Sequence, residues 1–225
     1  MSERRPIVVG IDVAEERKGL DLVALDGQST VVASAGRLTV SEVAELVLGD
    51  LGPDLVCIDA PSGWSHTGRS RRSELELRTL GITAFSTPSD PGDHPFYRWI
   101  RVGIAIYRTL APAYPVCDGR VLPGTAVEVF PEATAVLLTG RLREKDESKR
   151  VFRGQVLASH GVDVDGLPTV DRIDAALAAL TGVLALEGSA SFLGDPAEGV
   201  VLVPVAELPA ARLRRRPVGR PTAAT

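Results

Sequence analysis

The sequence predicts an α/β fold built on a mixed sheet: a three-strand antiparallel meander, then parallel strands, flanked by helices. Three observations carry this. The run Pro6-Ile7-Val8-Val9-Gly10-Ile11-Asp12-Val13-Ala14 is β-branched and nearly unbroken in its apolarity, as suits a strand buried on both faces. Short polar turns, one through Gly19 and one at Asp26-Gly27, place two further strand-like runs directly after it, which implies a meander. Leu55-Val56-Cys57-Ile58-Asp59-Ala60-Pro61 then repeats the first pattern and again ends by exposing an aspartate.

The chain of 225 residues is long enough for one large domain, and its 44% hydrophobic and 24% charged content is ordinary for a soluble globular protein. A net charge of −4 gives no global attraction to nucleic acid or acidic membranes and leaves a local basic patch as the route to either. No apolar segment approaches the roughly 20 residues that span a bilayer. Met1-Ser2-Glu3-Arg4-Arg5 runs straight into the first strand, with no room for a signal peptide. Cys57 and Cys117 form neither a disulfide framework nor a zinc spacing, and Cys57 sits in an apolar run as a small core residue. The expected setting is cytoplasmic, with no membrane partner.

In chain order, the first strand is followed by strands over Leu20–Asp26 and residues 30–38. Ser41 reads as the N-cap of a helix reaching Leu51, which Gly52-Pro53 breaks. After the Asp59 strand, residues 69–80 read as a charged amphipathic helix stopped by Gly81, and residues 96–110 as a helix carrying most of the aromatics. Thr125–Val129 is a strand with Glu128 in its interior, followed by a short helix opened by Pro131. Residues 145–160 and 169–187 read as helices, the second strongly apolar with Asp171 and Asp174 at its start. Residues 199–205 read as an edge strand, because Pro204 is awkward inside a sheet. Residues 1–208 thus form one domain, and 209–225, rich in Arg, Pro and Ala, read as a disordered basic tail.

Asp12 and Asp59 end two apolar strands, Glu128 is buried in a third, and Asp171 and Asp174 share one helix face at i, i+3. In α/β sheets functional groups gather at the carboxyl ends of the strands. Carboxylates brought together there repel one another, and a divalent cation relieves that repulsion; hard oxygen ligands favour Mg²⁺ or Mn²⁺ over zinc. Such ions activate water and stabilise a leaving oxygen in phosphodiester cleavage. An ionised Asp12 inside a strand also costs several kcal/mol, on the order of a buried unpaired ion, unless something compensates.

The predicted order of elements is that of ribonuclease H-like folds. The sequence resembles the DUF429 family of predicted nucleases with that fold, through Val9-Gly10-Ile11-Asp12-Val13-Ala14, Ile58-Asp59-Ala60-Pro61-Ser62, the helix with Arg72, Glu74, Arg78 and Gly81, Glu128-Val129-Phe130-Pro131-Glu132 and Asp171-Arg172-Ile173-Asp174-Ala175-Ala176. The resemblance implies a metal-dependent acidic site, carried here onto Asp12, Asp59, Glu128, Asp171 and Asp174, with Asp12, Asp59 and Asp174 as metal ligands and nucleic acid as partner. The D-x-x-D at the start of the last long helix is closer to RuvC-type resolvases than to ribonuclease H itself.

Blander roles compete. Asp12 and Asp59 also suit turn caps, Glu128 a salt bridge with an arginine, and Asp171 and Asp174 the positive end of a helix dipole. Arg69, Arg71 and Arg72, and Lys149 and Arg153 on the row begun by Lys145, suit phosphate contacts; salt bridges to neighbouring acids, Glu74 and Glu76 for the first three, are the alternative. Trp64 suits base stacking or loop packing, and the arginines at 212, 214, 215, 216 and 220 non-specific nucleic-acid affinity or solubility. Two other functions stay open: a non-catalytic nucleic-acid- or protein-binding module, and an actin- or sugar-kinase-like ATP-binding phosphotransferase. Glu15-Glu16 after the first strand, where a phosphate loop would need Gly, Thr or Ser, argues against the latter.

Overall fold

The computed structural model describes residues 4–215. Strands β1 (Ile7–Asp12), β2 (Leu20–Asp26) and β3 (Val31–Leu38) are followed by helix α1 (Val40–Glu45), which continues as a π-helical turn through Leu46–Leu51. Then come β4 (Leu55–Asp59), α2 (Arg72–Thr79), α3 (Arg98–Leu110), β5 (Thr125–Val129), α4 (Pro131–Thr139), α5 (Lys149–Ser159), α6 (Val170–Leu186), β6 (Ser191–Asp195) and β7 (Gly199–Val203). All seven strands form one sheet in the order β3-β2-β1-β4-β5-β7-β6. β1, β2 and β3 pair antiparallel, while β1, β4, β5 and β7 run parallel. This is the mixed α/β sheet expected, with the ribonuclease H-like order through β5.

Register sorts the side chains onto two faces. Gly10 pairs with Cys57 and Asp12 with Asp59, so these residues share a face with Val8 and Leu55. That face packs on α6, with α4 and α5 beyond. The opposite face, with Val9, Ile11, Val56, Ile58 and Ala126, packs against residues of α1 and α3.

The fit of α6 onto the sheet follows from its composition. Ala175, Ala178, Ala179 and Gly182 let the helix backbone approach the strands closely. A Cβ on Gly10 would lie 2.0 Å from the Ala175 carbonyl oxygen and 2.4 Å from the Ala179 nitrogen, and one on Gly182 would lie 2.6 Å from Cys57 Sγ. Behind it, the Thr134 and Thr181 hydroxyls, 2.7 Å apart, tie α4 to α6 without leaving a buried hydroxyl unpaired.

Several boundaries differ from the sequence expectation. The cap of α1 is Thr39, not Ser41: its hydroxyl accepts from Glu42 N–H while the Glu42 carboxylate accepts from Thr39 N–H, a reciprocal pair that outcompetes a serine two residues on. Ser148 caps α5, so that helix starts at Lys149 and Lys145 lies outside it. The expected edge strand is interior, because β7 stops at Val203 and Pro204 falls just beyond it. The true edge is β6, whose Gly194 at φ 109° disguises a strand as a turn. Its Gly194 N–H donates to Glu76 Oε2 of α2 at 2.7 Å. The segment expected to be disordered from Pro209 is instead tied down as far as it is described: Leu213 N–H donates to the Leu80 carbonyl and Leu142 N–H to the Arg214 carbonyl. Arg216 and Arg220 lie outside the described residues.

Replacing Gly10 by alanine is expected to push α6 off β1 and destabilise the protein by about 3 kcal/mol, the upper range for overpacking. Urea unfolding of Gly10→Ala beside the parent chain measures this.

Candidate functional site

Asp12 and Asp59 are register partners at the carboxyl ends of two adjacent parallel strands and face α6 together. Thr169 caps α6 by accepting from Arg172 N–H, which sets the first turn so that Asp171 and then Asp174 come down over the strand ends. On the other side of the sheet α3 comes in against the loop after β4. A Cβ on Gly103 would lie 2.4 Å from Ala60 Cβ, and Tyr107 Oη donates to the Ala60 carbonyl at 3.3 Å. Close packing from both faces thus fixes where Asp12, Asp59, Asp171 and Asp174 stand.

Their electrostatics are those of a crowded set of acids. Asp12 is 9% exposed, and its carboxyl is pushed up to about 8, first by burial and then by the charges of Asp174 and Asp171; Lys18 pulls the other way. Asp59 is held well above the usual carboxylate range by burial, then by Asp12 and Asp174, with Arg153 opposing. Neither carboxylate accepts a hydrogen bond from any described residue, which is unusual for an acid as buried as Asp12; Asp59 is half-buried. Asp174, 7% exposed, is also raised by burial, against the pull of Arg153.

Two cations stand on the acids of α6. Lys18 Nζ is 2.8 Å from Asp171 Oδ2. Arg153 Nη1 touches Asp174 Oδ1 as an ion pair outside hydrogen-bond geometry, while its Nη2 donates to Glu132 Oε2 at 2.7 Å. Asp174 Oδ1 and Arg153 Nε are consequently buried without a hydrogen-bond partner. Arg172, between the two acids in sequence, turns away to β2 and β3, where its Nε donates to Asp21 Oδ1 and its Nη1 to Ser34 Oγ, each at 2.5 Å.

Glu128 stands apart from these carboxylates in register, although its charge also helps to raise Asp59. It pairs in register with Ile58, one residue out of phase with Asp59, and so belongs to the opposite face. Arg71, 1% exposed, holds it with two parallel bonds, Nη2 to Oε1 at 2.6 Å and Nη1 to Oε2 at 2.7 Å, and Ser62 N–H adds a third at 3.2 Å. Arg71 Nε also donates to Glu74 Oε1 at 3.1 Å, and Glu74 Oε2 accepts from Thr87 N–H at 2.9 Å. This buried network closes the loops at 62 and 87 over the sheet end; its oxygens are committed to donors.

The predicted phosphate contacts separate as well. Arg69 is exposed with no ion-pair partner among the described residues. Arg72 is paired with Glu76, Nε to Oε1 at 2.7 Å, leaving it a structural role on α2. Lys149 is exposed beside the cluster and its charge reaches Asp174, whereas Arg153 is 4% exposed and already bound to two carboxylates. Trp64 packs edge-on against Tyr97 with Arg101 over its ring, so it holds its loop in place. Sequence reasoning missed Lys18, the pairing of Arg71 with Glu128 and the pairing of Arg153 with Asp174. Only the partners, 57 to 153 residues away for Arg71 with Glu128 and Lys18 with Asp171, distinguish these cations from their neighbours.

The donor chemistry fits a hard divalent cation: oxygen ligands only, two of them without hydrogen bonds and a third with an orphaned oxygen. The spacing is not that of a closed set. Among the described residues no three His, Cys, Asp or Glu side chains are grouped to hold a metal ion. No helix among them is long and apolar enough to cross a membrane.

A family model described as "Protein of unknown function (DUF429)" matches residues 10–198, which takes in every acid of the cluster. Among curated proteins none matches. Among solved structures a Thermus thermophilus RuvC structure matches at 12% identity with a TM-score of 0.43, covering 81% of this chain and 96% of that one. At that distance the likeness assigns no activity to this chain.

The raised carboxyl of Asp12 sets a sign for pH dependence. A group whose proton is held more tightly in the folded than in the unfolded chain contributes stability that is complete below its ordinary value of 3.8 and is lost as the pH rises through about 8. Without divalent cations, the melting temperature is expected to fall by several degrees between pH 5 and pH 8, by roughly 2–4 °C per kcal/mol lost. Asp12→Asn is expected to flatten that slope in thermal melts across the same range. Arg71→Met, which strands two buried carboxylates, is expected to cost about 3–5 kcal/mol in denaturant unfolding.

Proposed function

The chain belongs to the DUF429 family, and from that membership and the acid cluster we propose that it is a metal-dependent phosphodiesterase acting on nucleic acid. In this reading Asp12, Asp59 and Asp174, which are not grouped around an ion as they stand, would close on Mg²⁺ or Mn²⁺, and Asp171 with Lys18 would orient the mouth of the site. The observation that carries the reading is the Asp12–Asp59 pair: two carboxylates side by side, one buried and one half-buried, mutually repelling and without a hydrogen-bond donor among the described residues. Such a pair has no structural use that a hydrophobic pair would not serve better, and it answers the need of a hard cation.

When bound, the cation supplies Lewis acidity toward a phosphoryl oxygen and makes water a better nucleophile at neutral pH. The protein does the rest. Asp12 would release its proton on cation binding, so affinity rises with pH through about 8, and Asp59, also held above the usual carboxylate range, adds to the same trend. Asp174 brings Oδ1, which Arg153 meets as an ion pair without hydrogen-bond geometry and would have to share with the cation. Exposed Arg69 and Lys149 lie on surfaces where a polyanion approaches. Glu128, Arg71 and Glu74 act as positioning residues that keep the Asp59 loop closed.

One observation favours a second reading, a nucleic-acid-binding module without catalysis: Lys18 and Arg153 already neutralise the two acids of α6. The two readings part on one measurement. A phosphodiesterase cleaves labelled DNA or RNA in Mg²⁺ or Mn²⁺, and Asp12→Asn and Asp59→Asn each lower that rate by about a hundredfold or more while the chain stays folded. Cleavage unchanged in both variants removes the proposal. Nucleic-acid binding without cleavage or Mn²⁺ uptake in calorimetry establishes the module instead.

A further inference from the structure

Beside the acids, and separate from the Asp12–Asp59 pair, lies a cavity of about 250 Å³ whose charged lining is one-sided: Arg143, Lys149, Arg153 and Arg215 against the single carboxylate of Glu132. Lys149 and Arg153 stand one turn apart on α5, and Arg143 comes from the loop after α4. Arg215 is brought over by the ordered end of the chain, its Nε donating to the Arg143 carbonyl at 2.9 Å. Lys149 has no ion-pair partner among the described residues. In two of the lining residues the guanidinium Nε, that of Arg143 and that of Arg153, is buried with no acceptor among the described residues. Arg153 as a whole is 4% exposed. A buried charged donor left unmatched is costly, and no described residue supplies the acceptor these two nitrogens lack.

The acceptor that suits the lining is a small multivalent oxyanion. Several N–H donors and a lysine converging in a half-enclosed space match the oxygens of a phosphate group, and arginine forks bind phosphate better than they bind a single carboxylate oxygen. We propose that this cavity binds a phosphate group, and that Arg153 links it to the carboxylate cluster. Arg153 reaches both ways: its side chain is part of the cavity lining and its Nη1 meets Asp174. An anion that draws the guanidinium toward itself loosens the contact to Asp174, and Asp174 in turn competes with the anion for Arg153. Linkage makes the two effects equal in size. The link to the carboxylates gains a catalytic meaning only on the phosphodiesterase reading; the pocket and the competition stand without it.

The test uses the full chain, free of divalent cations and at constant ionic strength, titrated in a calorimeter with inorganic phosphate and then with a short single-stranded oligonucleotide. Saturable phosphate binding is expected, weakened about tenfold by Lys149→Gln and by Arg143→Gln, since each removes one charge-assisted contact worth about one power of ten. Lys149 is exposed, so its exchange leaves the fold intact; circular dichroism verifies this for both variants. Asp174→Asn, which releases Arg153, is expected to tighten phosphate binding severalfold, an effect opposite to mere structural damage. Competition between phosphate and oligonucleotide identifies the group as part of a nucleic acid; independent binding identifies free phosphate. Absence of saturable binding of either probe, or affinity unmoved by Lys149→Gln and Arg143→Gln, overturns the pocket, and phosphate affinity unmoved by Asp174→Asn overturns the link. No cleavage is read, so these outcomes are distinct from a failed nuclease assay.

Discussion

The arrangement of this molecule depends on the absence of a side chain at Gly10. With nothing there, an alanine-rich helix lies directly on the backbone of the central strand, and its first two turns overhang the strand's end. The acids of β1, β4 and α6 are brought together by that approach and not by any attraction among themselves, since each raises the cost of ionising the next. Packing forces the crowding, and electrostatics then records it as elevated proton affinities. Small residues on one helix face therefore matter as much to the site as the carboxylates do.

The sheet also divides two kinds of carboxylate. On the α6 face Asp12 and Asp59 have no donors among the described residues. On the other face Glu128 and Glu74 are saturated with donors by one deeply buried arginine. A buried ion pair of this quality adds little to net stability relative to an apolar core, but it fixes geometry strictly, because any slip exposes an unpaired charge. Here it fixes the loop that follows Asp59. The same residue type thus serves as scaffold on one side and as candidate ligand on the other, and a single step of strand register decides which.

Much of this was legible in the sequence. The apolar runs ending in Asp12 and Asp59 identify the two central strands and the end of the sheet where the acids sit. The i, i+3 spacing of Asp171 and Asp174 places them on one helix face, and the alanines after them mark a helix meant to pack closely. Glu128 shows where such reading stops: the sequence marks it as buried in a strand, but which face it takes depends on pairing with Ile58, and no local pattern encodes that. Arg153 shows the same limit. Its spacing from Lys149 suits an exposed phosphate-binding row, and only the packing of α5 against α4 and α6 turns it inward onto Glu132 and Asp174. The strand β6 escaped notice because Gly194 breaks its periodicity.

That unnoticed strand has a bearing on how the protein behaves in company. A sheet's last strand ordinarily offers a ladder of open amides to any passing chain. Here a glutamate from the covering helix takes the Gly194 amide midway along, and the left-handed glycine itself spoils the flatness a newcomer would need. At the far side β3 is interrupted by register shifts against β2, which twist the border away from a regular template. Growth of the sheet by adding strands from other copies is thereby discouraged at both borders, and self-association, if selected for, has to use side-chain surfaces instead.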